Sequence, residues 1–202
     1  MLFRSFDGMS ILPNEIVDEF HYVVGWLHER ACARQHGLGT KLPWDKDWIV
    51  ESLSDSVIYM AYYTIARFVN DGTISAENLS KEFFDYVFLG EGSADKVSGI
   101  EASTVEEIRK EFAYFYPVDS RHSGRDLVPN HLTFFVFNHV AIFPEDNWPQ
   151  QIVVNGSVLM DGKKMSKSMG NIIPLRQAIK DYGADPIRLA IIISAEIGRA
   201  HV

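Results

Sequence analysis

With 202 residues, 47% of them hydrophobic and 12% aromatic, the chain can bury a sizeable core and reads as one domain or a little more, not as a disordered tail. Its net charge of -8 argues against nucleic-acid binding through the whole surface, because counterion release needs clustered lysines and arginines, so any such contact is local. A single cysteine, Cys32, excludes an intramolecular disulfide, no run of about 18 apolar residues offers a membrane span, and the acids near the N-terminus are unlike a signal peptide, so a reducing, cytoplasmic setting is expected.

Residues 1 to 12 carry no motif. From Asn14, a suitable N-cap, Ile16, Val17, Phe20, Val23, Val24, Leu27 and Ala31 recur at helical spacing, which predicts an amphipathic helix to about Arg34. His28, Cys32 and His36 repeat every four residues, yet no fourth ligand accompanies them, and Cys in a helix reads better as a small buried hydrophobe than as part of a metal site. No metal-ligating set is expected from the side chains. Gly37 and Gly39 are taken as the helix stop. The stretch Gly37 to Trp48 is too rich in Gly, Pro and Asp for regular structure, and Trp44 and Trp48 predict a packed loop. Ser54, Asp55 and Ser56 then run into Val57, Ile58, Tyr59, Met60, Ala61, Tyr62 and Tyr63. That order reads as a strand end followed by a buried helix, the place where α/β folds put ligand sites.

Residues 70 to 100 hold Gly72, Gly90, Gly92 and Gly99 and read as a peripheral insertion with a short helix near Ser80 to Val87. Thr104 with Glu107 suggests a capping box for a helix to Phe112. Tyr114 to Asp119 is expected as a short aromatic strand, since Pro117 disfavours helix just before it. Ser123-Gly124-Arg125-Asp126 forms a turn at the strand end, and Pro129 suits the first turn of the helix that follows. That helix is apolar on most sides and therefore buried. A lone histidine such as His131 is commonly a satisfied core residue, but this one follows Gly-x-Asp closely. Ile152 to Val154, Asn155-Gly156 and Ser157 to Met160 have the pattern of a hairpin with a type I′ turn. Pro174 to Tyr182 is a helix stopped by Gly183, and Asp185-Pro186 starts another running through Ala195.

Asp161 to Asn171 reads Asp-Gly-Lys-Lys-Met-Ser-Lys-Ser-Met-Gly-Asn. A Lys/Ser/Gly loop is most often a solvated turn. The whole string Lys164, Met165, Ser166, Lys167, Ser168, Gly170 and Asn171 is far more specific than that, and two lysines on a glycine-framed loop suit a polyphosphate. A Walker loop is excluded, because Gly156 and Gly162 are one residue too far apart and Lys163 is followed by Lys164 instead of Ser or Thr.

The loop resembles the KMSKS signature with which class I aminoacyl-tRNA synthetases hold ATP. The wider chain resembles the second half of the catalytic core of the leucyl-tRNA synthetases of the archaeal and eukaryotic cytosolic branch. The matching segments are 37 to 45, 51 to 63, 116 to 119, 123 to 132, the lysine loop and 183 to 190, within residues 14 to 195; Arg199 to Val202 do not follow the pattern. The resemblance implies a partial doubly wound, Rossmann-like parallel α/β sheet with flanking helices and a peripheral insertion, with parallel strands near Val57, Tyr114 and Ile152. It divides the chain into a helical lead-in over 1–40, the second half of the catalytic domain over 41–183 and the start of a helical domain over 184–202. The family's first nucleotide-binding half, its editing region and its anticodon-binding region are not matched, so the chain is expected to be a fragment and inactive alone.

By the same resemblance, Lys164 and Lys167 are the catalytic lysines. The ATP site comprises Gly124 and Asp126, which meet the ribose, with Lys164, Met165, Ser166, Lys167 and Ser168. Ser54, Ser56, Tyr59 and His131 lie on the leucine side. ATP with Mg2+ is the implied cosubstrate; leucine, tRNA(Leu) and the missing half of the core are the implied partners. Two alternatives stay open: a noncatalytic nucleotide- or partner-binding module derived from a synthetase, and a piece of an isoleucyl, valyl or methionyl enzyme.

Overall fold

Ile152, Val153 and Val154 are buried in succession, which marks a strand covered on both faces, the middle strand of a parallel sheet. In the computed structural model, which describes residues 1–27, 32–156, 159–160 and 163–194 and leaves out the side chains of Lys164 and Ser194, this is what is found. Strand β1 (Ser10–Leu12) and strand β4 (Arg121–Gly124) both run parallel to β5 (Gln151–Asn155), in the order β1-β5-β4. Between β1 and β4 the chain makes two short strands, β2 (Ala33–Arg34) and β3 (Ile49–Val50), which pair antiparallel. After β5 come β6 (Leu159–Met160) and β7 (Lys163–Lys164), again antiparallel.

The helices are α1 (Leu2–Gly8), α2 (Ile16–Trp26), α3 (Ser52–Asp55), α4 (Tyr59–Asn70), α5 (Lys81–Phe84), α6 (Ala102–Phe115), α7 (Thr133–Ile142), α8 (Leu175–Tyr182) and α9 (Ala184–Ser194). The apolar side chains form two clusters. One gathers Phe6, Ile11, Ile16, Phe20, Val57, Phe135 and Ile152 between the sheet and α1, α2 and α7. The other gathers Ile65, Phe68, Phe83, Val87, Ile108 and Phe112 around α4, α6 and the 70–100 segment. Met60 and Val118 pack against both. The α/β architecture with a parallel sheet and a peripheral segment agrees with the expectation.

Several local expectations do not hold. Helix α2 ends at Trp26, one residue after Gly25, whose backbone freedom disfavours helix; Ala33 and Arg34 are strand, and Cys32 is exposed. His28 and Ala31 lie outside the described residues. Trp44 is 81% exposed: its loop is tied back through the backbone, by a Lys41–Ile49 bridge and by bonds from Leu42 N–H to the Trp48 carbonyl and from Val50 N–H to the Thr40 carbonyl, and none of these buries the indole. Val57 is no strand: it sits fully buried in the turn between α3 and α4, where the Ile58 N–H donates to the Asp55 carbonyl. Tyr114 is helical, since α6 continues to Phe115 and only Tyr116, the residue directly before Pro117, is extended; the pre-proline restriction acts on that one residue. Helix α6 starts at Ala102 with Glu101 as N-cap, which leaves Thr104 inside the first turn. The expected hairpin about Asn155-Gly156 is replaced by β6 with β7, because Ile152 and Val153 are claimed by parallel partners on both sides and Val154 and Asn155 by β4; Ser157, Val158, Asp161 and Gly162 lie outside the described residues. Helix α8 begins after Pro174 and stops at Gly183, as expected, in a positive-φ conformation (φ 88°, ψ 162°) open to glycine.

Candidate functional site

Strands β4 and β5 are in register from Arg121 with Ile152 to Gly124 with Asn155, so the Gly-Arg-Asp turn and the segment leading to the lysine loop leave the sheet side by side at the carboxyl ends of parallel strands. That end of an open α/β sheet is where ligands bind. Gly124 closes β4, and Arg125 to Leu127 form one tight turn. A side chain at Gly124 would place its Cβ 2.7 Å from Oδ1 of Asp126, so the glycine makes room for that carboxylate, which is exposed. Arg125 donates from Nε to Glu19 of α2 at 3.1 Å and ties the turn to the core.

The lysine loop is held by its own short side chains. The N–H of Ser166 donates to Oδ1 of Asn171 at 2.9 Å, and the hydroxyls of Ser166 and Ser168 are 2.8 Å apart. Gly170 takes φ 68° as its N–H donates to the Lys167 carbonyl, the left-handed turn that glycine adopts without a Cβ clash. Met165 and Ser166 are half-buried, whereas Lys167 and Ser168 are exposed, and Lys167 has no ion pair among the described residues. Lys164 belongs to β7 through its backbone.

His131 lies in a single π-turn, Val128–Leu132, that opens with Pro129 and leads into α7. Such turns widen a helix and recur at functional sites. The buried hydroxyl of Thr133 donates to the Val128 carbonyl at 2.6 Å, giving it a partner inside the widened turn. Burial lowers the pKa of His131 below its ordinary value, Arg121 lowers it further, and a hydrogen bond to the Ser56 main chain pulls it partly back. His131 and Ser56 are therefore brought together. Ser54 joins α3 to α7 through its carbonyl, which accepts from Asn138 Nδ2 at 3.4 Å, while its hydroxyl donates to the Cys32 carbonyl. Tyr59, 38% exposed, turns its ring to Tyr63, with centroids 4.9 Å apart.

Thr133, Asn138 and Arg121 were not singled out from the sequence. Thr133 and Asn138 left a signal there, as polar residues in a mainly apolar helix, whereas Arg121 left none. No group of three or more His, Cys, Asp or Glu among the described residues is placed to hold a metal ion. Two cavities, of about 420 and 410 Å³, open at the other end of the sheet: Ser120, which precedes β4, lines the first, and Gln150, which precedes β5, lines the second. No described helix is long and apolar enough to cross a membrane.

The sequence model of tRNA synthetases class I (I, L, M and V) matches residues 81–201. The chain is 55% identical over 198 residues to leucine–tRNA ligase 2 of Sulfolobus acidocaldarius, covering 96% of the chain and 21% of that protein. It is 56% identical over 193 residues to leucine–tRNA ligase of Ignicoccus hospitalis, covering 94% and 19%. It thus spans about a fifth of the length of these curated relatives. The fold matches that of Mycobacterium tuberculosis methionyl-tRNA synthetase, solved in complex with methionyl-adenylate, at a TM-score of 0.59 and 20% identity, over 93% of this chain and 29% of that one. The chain belongs to the class I tRNA synthetases of the isoleucine, leucine, methionine and valine group.

Proposed function

We propose that the chain supplies the second half of the catalytic core of a leucine–tRNA ligase in the cytoplasm, with residues 41–183 in that half and 184–202 opening a helical domain. The observation that carries this reading is the 55% identity to a leucine–tRNA ligase over nearly the whole chain, at a level where a loop and a turn of matching sequence emerge from neighbouring parallel strands.

In this reading Asp126 accepts hydrogen bonds from the ribose hydroxyls of ATP, beside the space left at Gly124. Lys164 and Lys167 bring two ammonium groups to the phosphates, with Lys167 in direct contact, and Met165, Ser166 and Ser168 shape the loop around them. Mg2+ arrives with the ATP. Leucine lies towards His131, Ser54, Ser56 and Tyr59, and its carboxylate attacks the α-phosphorus, forming leucyl-adenylate and releasing pyrophosphate before transfer to tRNA(Leu). Such a step needs positioning and charge stabilisation more than a nucleophilic side chain.

The test is leucine-dependent ATP–pyrophosphate exchange. The 202-residue chain alone is expected to be inactive; mixed with the portion of a close relative that precedes the matched region, it is expected to restore exchange with leucine in preference to isoleucine, valine or methionine. A preference for one of those instead, or no exchange from a stable complex of the two pieces, overturns the reading.

A further inference from the structure

We propose that Arg121 and His131 together bind a carboxylate group. Among the described residues four buried side-chain nitrogens have no hydrogen-bond partner: His21 Nε2, Arg34 Nε, Arg121 Nε and His131 Nδ1. The first two lie 3.9 and 3.6 Å from the carboxylates of Asp7 and Glu51, so their charge is answered. The last two, Arg121 Nε and His131 Nδ1, face no carboxylate among the described residues. Arg4, Arg34, Arg67, Arg125 and Arg188 each face a carboxylate, whereas Arg121, like Arg109 and Arg176, has no ion pair among the described residues.

The two unanswered groups belong together. The guanidinium of Arg121 lies 6.0 Å from the ring centroid of Phe135, and Phe135 follows His131 by four residues, one turn along the same helical run. Its charge is felt by the imidazole, whose pKa it helps to lower after burial has done most of the work. A guanidinium is a planar fork that matches the two oxygens of a carboxylate, and the imidazole, whose other nitrogen faces the Ser56 main chain, becomes a third donor at Nδ1 when the bound anion holds it protonated. Burying these nitrogens without an acceptor is unfavourable, which is the condition a small planar anion relieves.

The inference rests on the reading of His131 as facing the amino-acid substrate, and it deepens that reading: the carboxylate to be held is the group that reacts. Arg121 then orients it, while the specificity for leucine stays with the side-chain contacts.

The 202-residue chain, labelled with 15N, is titrated with sodium acetate, L-leucine and L-leucinol while the Arg121 Nε–H and His131 ring signals are followed. Acetate and L-leucine are expected to shift both sets of signals saturably, and L-leucinol, which lacks the carboxylate, to leave them in place. Arg121→Gln is expected to weaken acetate binding roughly tenfold or more, and Arg121→Lys to restore part of it because the charge returns without the fork. His131→Asn provides a second variant, also expected to weaken acetate, should Arg121→Gln fail to fold. Equal shifts with leucine and leucinol, no saturable shift up to about 100 mM acetate, or undiminished acetate binding by folded Arg121→Gln would overturn the site. Acetate binding with no preference for leucine over glycine keeps the carboxylate site and counts against leucine as its natural occupant.

Discussion

The hydroxyl of Tyr116 donates to Nε2 of His139 across 3.3 Å, and neither ring meets water, at 5% and 0% exposure. The tautomer follows from the other side of the ring. Nδ1 lies 2.7 Å from the Phe135 carbonyl, which can only accept, so Nδ1 carries the hydrogen and Nε2 presents a lone pair. Burial pushes His139 down to about 4, against a smaller upward pull from that carbonyl, and pushes the Tyr116 phenol well above its usual value.

A histidine neutral in the fold and free to charge when unfolded stabilises the protein fully above about pH 6.5. The contribution drains away as pH falls towards 4, because the unfolded state binds the proton first. The size is about 3 kcal/mol, from the difference between the two pKa values. Urea unfolding at pH 7 and pH 4.5 is expected to show His139→Gln losing much less stability on acidification than the parent chain. Equal losses would mean that His139 is not the titrating group.

Gly124→Ala separates folding from binding. The Cβ would meet only the end of the exposed Asp126 side chain, which can swing away, so the melting behaviour is expected to change by about 0.5 kcal/mol or less. The swing removes the carboxylate from its place. In the complemented enzyme the KM for ATP should therefore rise while that for leucine holds. A rise in the leucine KM alone would place Gly124 elsewhere in the site.

Lys167→Ala is expected to leave the stability of the chain within about 0.5 kcal/mol, since the side chain is exposed and unpaired among the described residues. In the complemented enzyme it should slow adenylate formation by roughly 100 to 1000-fold, the loss typical of one preorganised donor. Pyrophosphate exchange reads this directly, and an unchanged rate removes Lys167 from the chemistry.

What the sequence disclosed was whatever is decided locally. The helix near Ser80 to Val87 and the stop at Gly183 depend on a few neighbouring residues, and they stand where expected; of the turn at Ser123 to Asp126, Ser123 and Gly124 still belong to β4 and the turn begins at Arg125. Strand β1 is three residues long and has no alternation to announce it; only its pairing with Gln151 to Val153 makes it a strand. Asn155-Gly156 carried a strong hairpin signal that two distant parallel partners overrode. In the site, the lysine loop and the Gly-Arg-Asp turn were legible as strings. The meeting of His131 with Ser56 was not, because it arises from packing between segments 75 residues apart that share no pattern, and the lack of an ion pair at Arg121 was not, because it depends on which side chains fold around it.

The middle strand of the sheet is the last of the three to be made. Ser10 waits for Gln151, and a ribosome adding about 5 to 20 residues per second needs roughly 7 to 28 s to cover that gap. The cluster around α4 and α6 needs only residues from Ala61 to Phe143 and lacks nothing by then, whereas the cluster under the sheet lacks Ile152 and Val154. Synthesis therefore sets an order in which the periphery is assembled before the centre, and Ile11 remains a strand without a sheet until β5 has emerged.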